Sequence, residues 1–174
     1  MRGPIDLSRE LLAVDVLHEI VRLRRRIDDA VELPDVLDVP ETSCLAVRLY
    51  DADDALLAAL LPSHGVPALS ALARASGAAR LRALDPARVS AVTEFHPSLV
   101  PPVGLPVQVL AFADAALRDT EVVYTPTGDG STALKIRSAD LLSLTNAVVA
   151  PLVEPGAAPS ALAEIEWRAE PVGH

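Results

Sequence analysis

Apolar residues recur at roughly helical spacing from about Ser8 to Ile27 (Leu11, Leu12, Val14, Val16, Leu17, Ile20, Val21 and Leu23), which predicts a helix with Ser8 as its N-cap. A second reading stays open, in which the chain leaves the helix at His18 and continues as a strand, HEIVRL. A short helix fits Asp29 to Leu37 if Pro34 sits near its start. CLAVRLY, Cys44 to Tyr50, has the branched and aromatic content of a strand; the turn signal DADD and the apolar run Ala55 to Pro62 complete a hairpin. Ala68 to Ser76 predicts a helix ended by Gly77, and Asp85 with Pro86 opens another that runs to about Thr93.

Phe95 to Pro106 reads FHPSLVPPVGLP, and its prolines force a rigid loop. Strands are predicted over Val107 to Phe112, Glu121 to Thr125, Thr132 to Ile136 and Ala147 to Val153. TGDGS, Thr127 to Ser131, makes the tight turn between the middle two, and a helix from Ser138 closes on Asn146. Strands and short helices without regular alternation predict an α+β domain on a mixed sheet. The domain is placed at 1–155, with a Pro/Ala tail at 156–174 that carries a short helix around Ala161 to Ala169.

The 174 residues, 51% hydrophobic and 22% charged, are enough for one domain to bury a core without a metal or disulfide. A single cysteine excludes an intramolecular disulfide framework and a Cys-based zinc site, and it fits a reducing, cytoplasmic address. The opening MRGPIDLSRELLAVDVL reads neither as a secretory signal nor as a transit peptide. No uncharged apolar run approaches the roughly 18 residues of a membrane span, so no membrane partner is expected. The net charge of −9 argues against tracking along nucleic acid by bulk electrostatics, although a local basic groove remains open because every basic residue but Lys135 is arginine. No pair of His and acidic residues has metal-ligand spacing, and neither a dinucleotide fingerprint nor a Walker loop occurs, so no metal and no cofactor are expected.

The order of elements from Ala71 to Val153 resembles the aminoacyl-tRNA editing family known as YbaK, or the prolyl-tRNA synthetase associated domain. LARASGAARLRALDPARVSAVTEF looks like that family's helix, strand, helix passage, which leads into a loop with a G-G-V-x-P-x-G core. Here the loop reads SLVPPVG, in which Val100, Pro102 and Gly104 match and Ser98 and Leu99 stand in place of the two adjacent glycines. Asp114 falls where the family has an Asp just after a strand; Gly128 and Asp129 match the turn before its K-L-x-x-x-x-L segment, here LKIRSADLLSLT.

The resemblance implies a partly barrel-like mixed sheet and a cleft that holds the 3′ end of a tRNA with its amino acid, where water cleaves the ester. On that basis the substrate-binding candidates are Ser43, His96, Ser98, Leu99, Val100, Pro102, Gly104, Asp114, Gly128 and Asp129. The family's lysine, on a strand in the N-terminal third, is replaced here by Ser43 or Cys44. Three catalytic substitutes remain open: Arg48, on the same strand face as Cys44; Lys135, from a neighbouring strand; and Cys44 itself, which would need an activating histidine. The rival expectation is a non-catalytic module of the same fold that binds an aminoacyl or adenosine ligand or a protein partner, and a homo-oligomer is equally open.

Overall fold

The structure is a computed structural model and describes residues 1–154 and 166–169. Helix α1 (Pro4–Ala13) starts at Gly3, whose N–H is capped by Asp6, and buries Leu7 and Leu11. It ends where Asp15 turns to φ 57°, and the second reading of this segment holds: strand β1 (His18–Arg22) pairs antiparallel with a later strand. The helix predicted to run to Ile27 is therefore wrong beyond Ala13. A helical continuation would have competed with the full ladder from His18 against Ile136 to Arg22 against Thr132, and tertiary pairing overrides a weak local period.

A 3-10 turn (Ala30–Glu32) and helix α2 (Leu33–Leu37) follow, with Pro34 near the helix start as required. Strands β2 (Leu45–Ala52) and β3 (Ala55–Pro62) form the predicted hairpin, tightened by Asp53 at φ 54°. Helix α3 (Leu69–Ser76) stops at Gly77 in the left-handed conformation, and strand β4 (Arg80–Ala83) returns antiparallel to β2. Helix α4 (Pro86–Thr93) is capped by Asp85 through the N–H of Arg88.

Strand β5 (Val109–Asp114) begins two residues later than expected, because a turn in which Val109 donates to the Pro106 carbonyl leaves Val107 97% exposed. β6 (Val122–Pro126) and β7 (Thr132–Arg137) flank the TGDGS turn, and helix α5 (Ser138–Thr145) closes on left-handed Asn146. β8 (Val148–Ala150) is cut short by Pro151, which has no N–H for the ladder. Most of the helix expected around Ala161 to Ala169 lies outside the described residues; Glu166–Arg168 is strand β9, paired antiparallel with β4.

Two open sheets result. One runs β1-β7-β6 and the other β8-β5-β3-β2-β4-β9, with β3, β5 and β8 parallel in an otherwise antiparallel arrangement. Among the described residues they do not close into a barrel, and a bridge from Cys44 to Tyr124 joins them. Alternation along β2 distributes its side chains. Leu45, Val47 and Leu49 enter the main core with β6, β7, α1 and α5, while Tyr50 packs beneath α3 and Cys44 and Ala46 join Ile27, Leu33 and Leu99.

Candidate active site

Between the last two clusters, on the same face of β2, lies Arg48. It is the one exposed residue between Leu45 and Tyr50. On that face Ala46 and Tyr50 flank it two residues away on either side, and Ala59 lies directly across the ladder. The outcome is a cleft of about 280 Å³ lined by Arg48 and Asp29 as its charged groups, with Ser63, Ser98 and Val100 and the small side chains of Ala30, Ala46 and Ala83.

The wall opposite the hairpin is held by backbone and ionic contacts. Asp29 caps the 3-10 turn by accepting from the Val31 N–H at 2.9 Å, and the Ala30 N–H donates to the Ser98 carbonyl at 3.1 Å. Glu32 accepts from the N–H groups of Asp28 and Asp29 and pairs with Arg25 at 2.7 Å. The Arg25 guanidinium holds the Glu32 carboxyl below its ordinary range. In the loop itself the His96 ring accepts from the Ser98 N–H at 3.3 Å, and the Leu99 carbonyl accepts from Gly128 at 2.8 Å. Gly128 has φ +89°, and a side chain there would run into the Phe95 ring and the Arg2 carbonyl.

Of the residues singled out from sequence, Arg48, Ser98 and Val100 line this cleft, and His96 braces it from behind. Leu99 turns away into the core beside Cys44 and Ala46, so its bulk does not intrude on the cleft. Pro102 and Gly104 face a different depression, a groove of about 700 Å³ between α1 and β5 that also takes in Val107, Leu110 and Val148. Asp114 is buried and structural; its carboxylate accepts from Ala116 at 3.0 Å and from Leu152 at 2.8 Å, tying β5 to the segment after β8. Asp129 shapes its own turn by accepting from Ser131.

Lys135 sits on β7 opposite Glu19 and Tyr124, with Nζ 3.9 Å from the Glu19 carboxylate, and does not line the cleft. Ser43 ends a 3-10 turn on the approach to β2, outside the lining. Cys44 is buried, and burial pushes its thiol up to about 12. A base to activate it is lacking among the described histidines. His18 bonds Ser8 and the Val16 carbonyl, His64 bonds the Val31 carbonyl at 2.8 Å, and His96 takes the Ser98 amide. Among the described residues no group of three or more His, Cys, Asp and Glu could hold a metal ion.

Sequence reasoning missed Asp29 and Ser63. Asp29 carried the signal of a capping acid before a short helix, whereas Ser63, in the turn after β3, carried none.

A family model for the aminoacyl-tRNA editing domain matches residues 25–144, which is most of the chain and spans every element that lines the cleft. The chain belongs to the aminoacyl-tRNA editing domain family. Solved structures extend the fold beyond that stretch. The hypothetical protein APE2540 superposes with a TM-score of 0.79 at 20% identity, covering 85% of this chain and 99% of that one. A protein described as a candidate trans-editing enzyme for prolyl tRNA synthetase follows at TM-score 0.72 and 24% identity, covering 79% and 87% of the two chains. A scaffold used for computational grafting of linear epitopes gives 0.73 at 26% identity over 85% and 91%. None of the curated proteins matches the chain. Among the described residues of this editing domain no helix is long and apolar enough to cross a membrane.

Proposed function

We propose that this editing domain is an aminoacyl-tRNA deacylase acting in trans, which hydrolyses the ester of a mischarged tRNA with Arg48 as its catalytic cation. The observation that carries this reading is a guanidinium exposed in the middle of a buried strand, lining a small cleft in a domain of the editing family. Attack of water on the ester carbonyl places negative charge on the carbonyl oxygen, and a preoriented cation in a confined cleft stabilises that charge more than it stabilises the ground state. The cleft is small for a ligand site, which suits a small acyl group and leaves the nucleotide at its mouth. A likeness to a candidate trans-editing enzyme for prolyl tRNA synthetase supports the choice of tRNA-Pro for the first assay.

The test is deacylation of a mischarged panel, including alanyl and cysteinyl tRNA-Pro, by the wild type beside Arg48→Ala, Lys135→Ala and Cys44→Ala. Ester loss above the spontaneous rate, removed by Arg48→Ala alone, is the expected result. Loss through Lys135 or Cys44 instead would move the catalytic role to that residue.

One observation favours a second reading. The cleft lining contains no lysine, cysteine or histidine, which is the composition of a module that binds an aminoacyl or adenosine ligand without cleaving it. Binding of an aminoacyl-adenosine amide with no hydrolysis of any ester would establish that reading and overturn the first.

A further inference from the structure

The segment that walls the cleft opposite β2 is rich in acids, and its ion pairs leave one of them out. Arg25 pairs with Glu32 at 2.7 Å and with Asp35 at 3.1 Å, while Arg24 donates to the Val36 and Asp35 carbonyls. Asp29 is exposed and lines the cleft. Its carboxylate accepts from the Val31 N–H at 2.9 Å, but among the described residues no cation pairs with it. Arg48 lines the same cleft from the β2 side, so two opposite charges border one cavity without forming an ion pair with each other. The other lining side chains carry no charge at neutral pH: Tyr50 is a buried phenol, and the Ser63 hydroxyl, which hydrogen-bonds nothing, is buried beneath the surface.

We propose that Asp29 determines specificity by receiving the α-ammonium of an aminoacyl ester, so that the cleft takes esters with a free α-amino group. This rests on the deacylase reading for the ester and goes beyond it in naming the amino end of the substrate as the group recognised. The two charges fit the ester's own chemistry. Its ammonium and its carbonyl are attached to one carbon, so a single small acyl group brings a cation and a developing oxyanion together. With the ammonium at Asp29 and the carbonyl oxygen towards Arg48, charges alternate in sign across the cleft, whereas the reverse placement sets like charges against each other. A hydrogen bond between two ionised groups is roughly twice as strong as one between neutral groups, which separates an ammonium from a hydroxyl of the same size. A long cationic side chain is a poorer match for Asp29, because Ala30, Ala46 and Ala83 bound a cleft of only about 280 Å³. An ester whose nitrogen carries a further acyl chain has lost the charge that Asp29 binds.

The test compares two hydrolysis-resistant probes by calorimetry on the full chain: alanyl-adenosine joined through a 3′ amide and its lactyl counterpart, in which a hydroxyl replaces the ammonium at nearly the same shape. The wild type is expected to bind the alanyl probe about tenfold or more tightly, and Asp29→Asn to bring the two affinities within about twofold by weakening the alanyl probe alone. Asparagine keeps an acceptor for the cap of the 3-10 turn, so this variant removes the charge and retains the cap. Equal affinities in the wild type, no binding of either probe, or a preference that survives Asp29→Asn would overturn the proposal. So would equal weakening of both probes, which would put a ribose hydroxyl at Asp29 instead. If Asp29→Asn loses its native circular dichroism, Asp29→Ser, also a cap without charge, must narrow the ratio. Hydrolysis of alanyl and N-acetylalanyl tRNA-Pro, run alongside, separates the two readings. An alanyl preference in binding without turnover of either ester removes the deacylase and keeps Asp29, whereas turnover of both esters at similar rates keeps the deacylase and removes Asp29.

Discussion

The loop Ser98 to Gly104 borders two depressions, and they differ in kind. On one side Ser98 and Val100 border a cleft of about 280 Å³ that holds a cation, a carboxylate and an unpaired hydroxyl. On the other side Pro102 and Gly104 border a groove of about 700 Å³ with an apolar floor of Val107, Leu110 and Val148 and a single carboxylate, Glu10. The larger volume is the poorer candidate for chemistry. Cleaving an ester needs charge placed where charge develops; on the cleft side Arg48 stands on a strand whose neighbours are buried, while at the groove Arg2 pairs with Glu10 and donates to the Gly104 carbonyl.

The contrast can be broken in four ways. Arg48→Ala should have the largest effect, lowering kcat for the best ester about 10²–10³-fold with native circular dichroism, as expected when a charge-stabilising group is removed. Gly128→Ala should come next. A Cβ there would lie 2.6 Å from Phe95 and 2.9 Å from the Arg2 carbonyl at φ +89°, so stability in urea should fall by about 2–4 kcal/mol. Since the Gly128 N–H holds the Leu99 carbonyl, the loop should loosen on both faces at once, and ester hydrolysis should fall with it.

Cys44, in the core behind Arg48, gives a pH signature. Its thiol has an ordinary value of 9.0 and is pushed to about 12 by burial, so the folded protein holds its proton longer than the unfolded chain. The stabilisation is complete below pH 9 and is lost as pH rises from 9 towards 12. Urea midpoints should therefore decline in that window for the wild type with a slope that Cys44→Ala lacks, Cys44→Ala itself costing about 1–2 kcal/mol at neutral pH. The smallest effects belong to the groove. Val107→Glu and Leu110→Lys, at residues 97% and 52% exposed, should change stability by less than about 0.5 kcal/mol and leave hydrolysis within twofold. A large loss from either would transfer the chemistry to the groove.

Elements with chemical punctuation were legible from sequence. Asp85 before Pro86, Gly77 and Asn146 mark helix ends through caps that are local properties of the chain, and the structure places them where those residues stand. His18 to Arg22 was ambiguous because a short apolar run satisfies a helical and a strand period together, and only β7, more than a hundred residues on, resolves it. The site was less legible. Arg48 could be set on the right face by alternation, but that the cleft opens there depends on Ala59 across the hairpin and on the 3-10 turn opposite. Asp114 carries a family match, yet beyond the local N–H of Ala116 it holds the N–H of Leu152, 38 residues away. Ser63 stands out by the partner it lacks, and that absence exists only in three dimensions.

The short strand β8 has a consequence for how this protein meets its neighbours in a crowded solution. It forms one outer margin of the six-stranded sheet, and an outer strand is where a foreign chain can add itself by continuing the ladder. Val148–Ala150 offers three residues before Pro151 removes the next donor. So brief a template gives an incoming strand too few hydrogen bonds to hold, and a sheet rich in Leu, Val and Ala is guarded at that margin against growing into fibres.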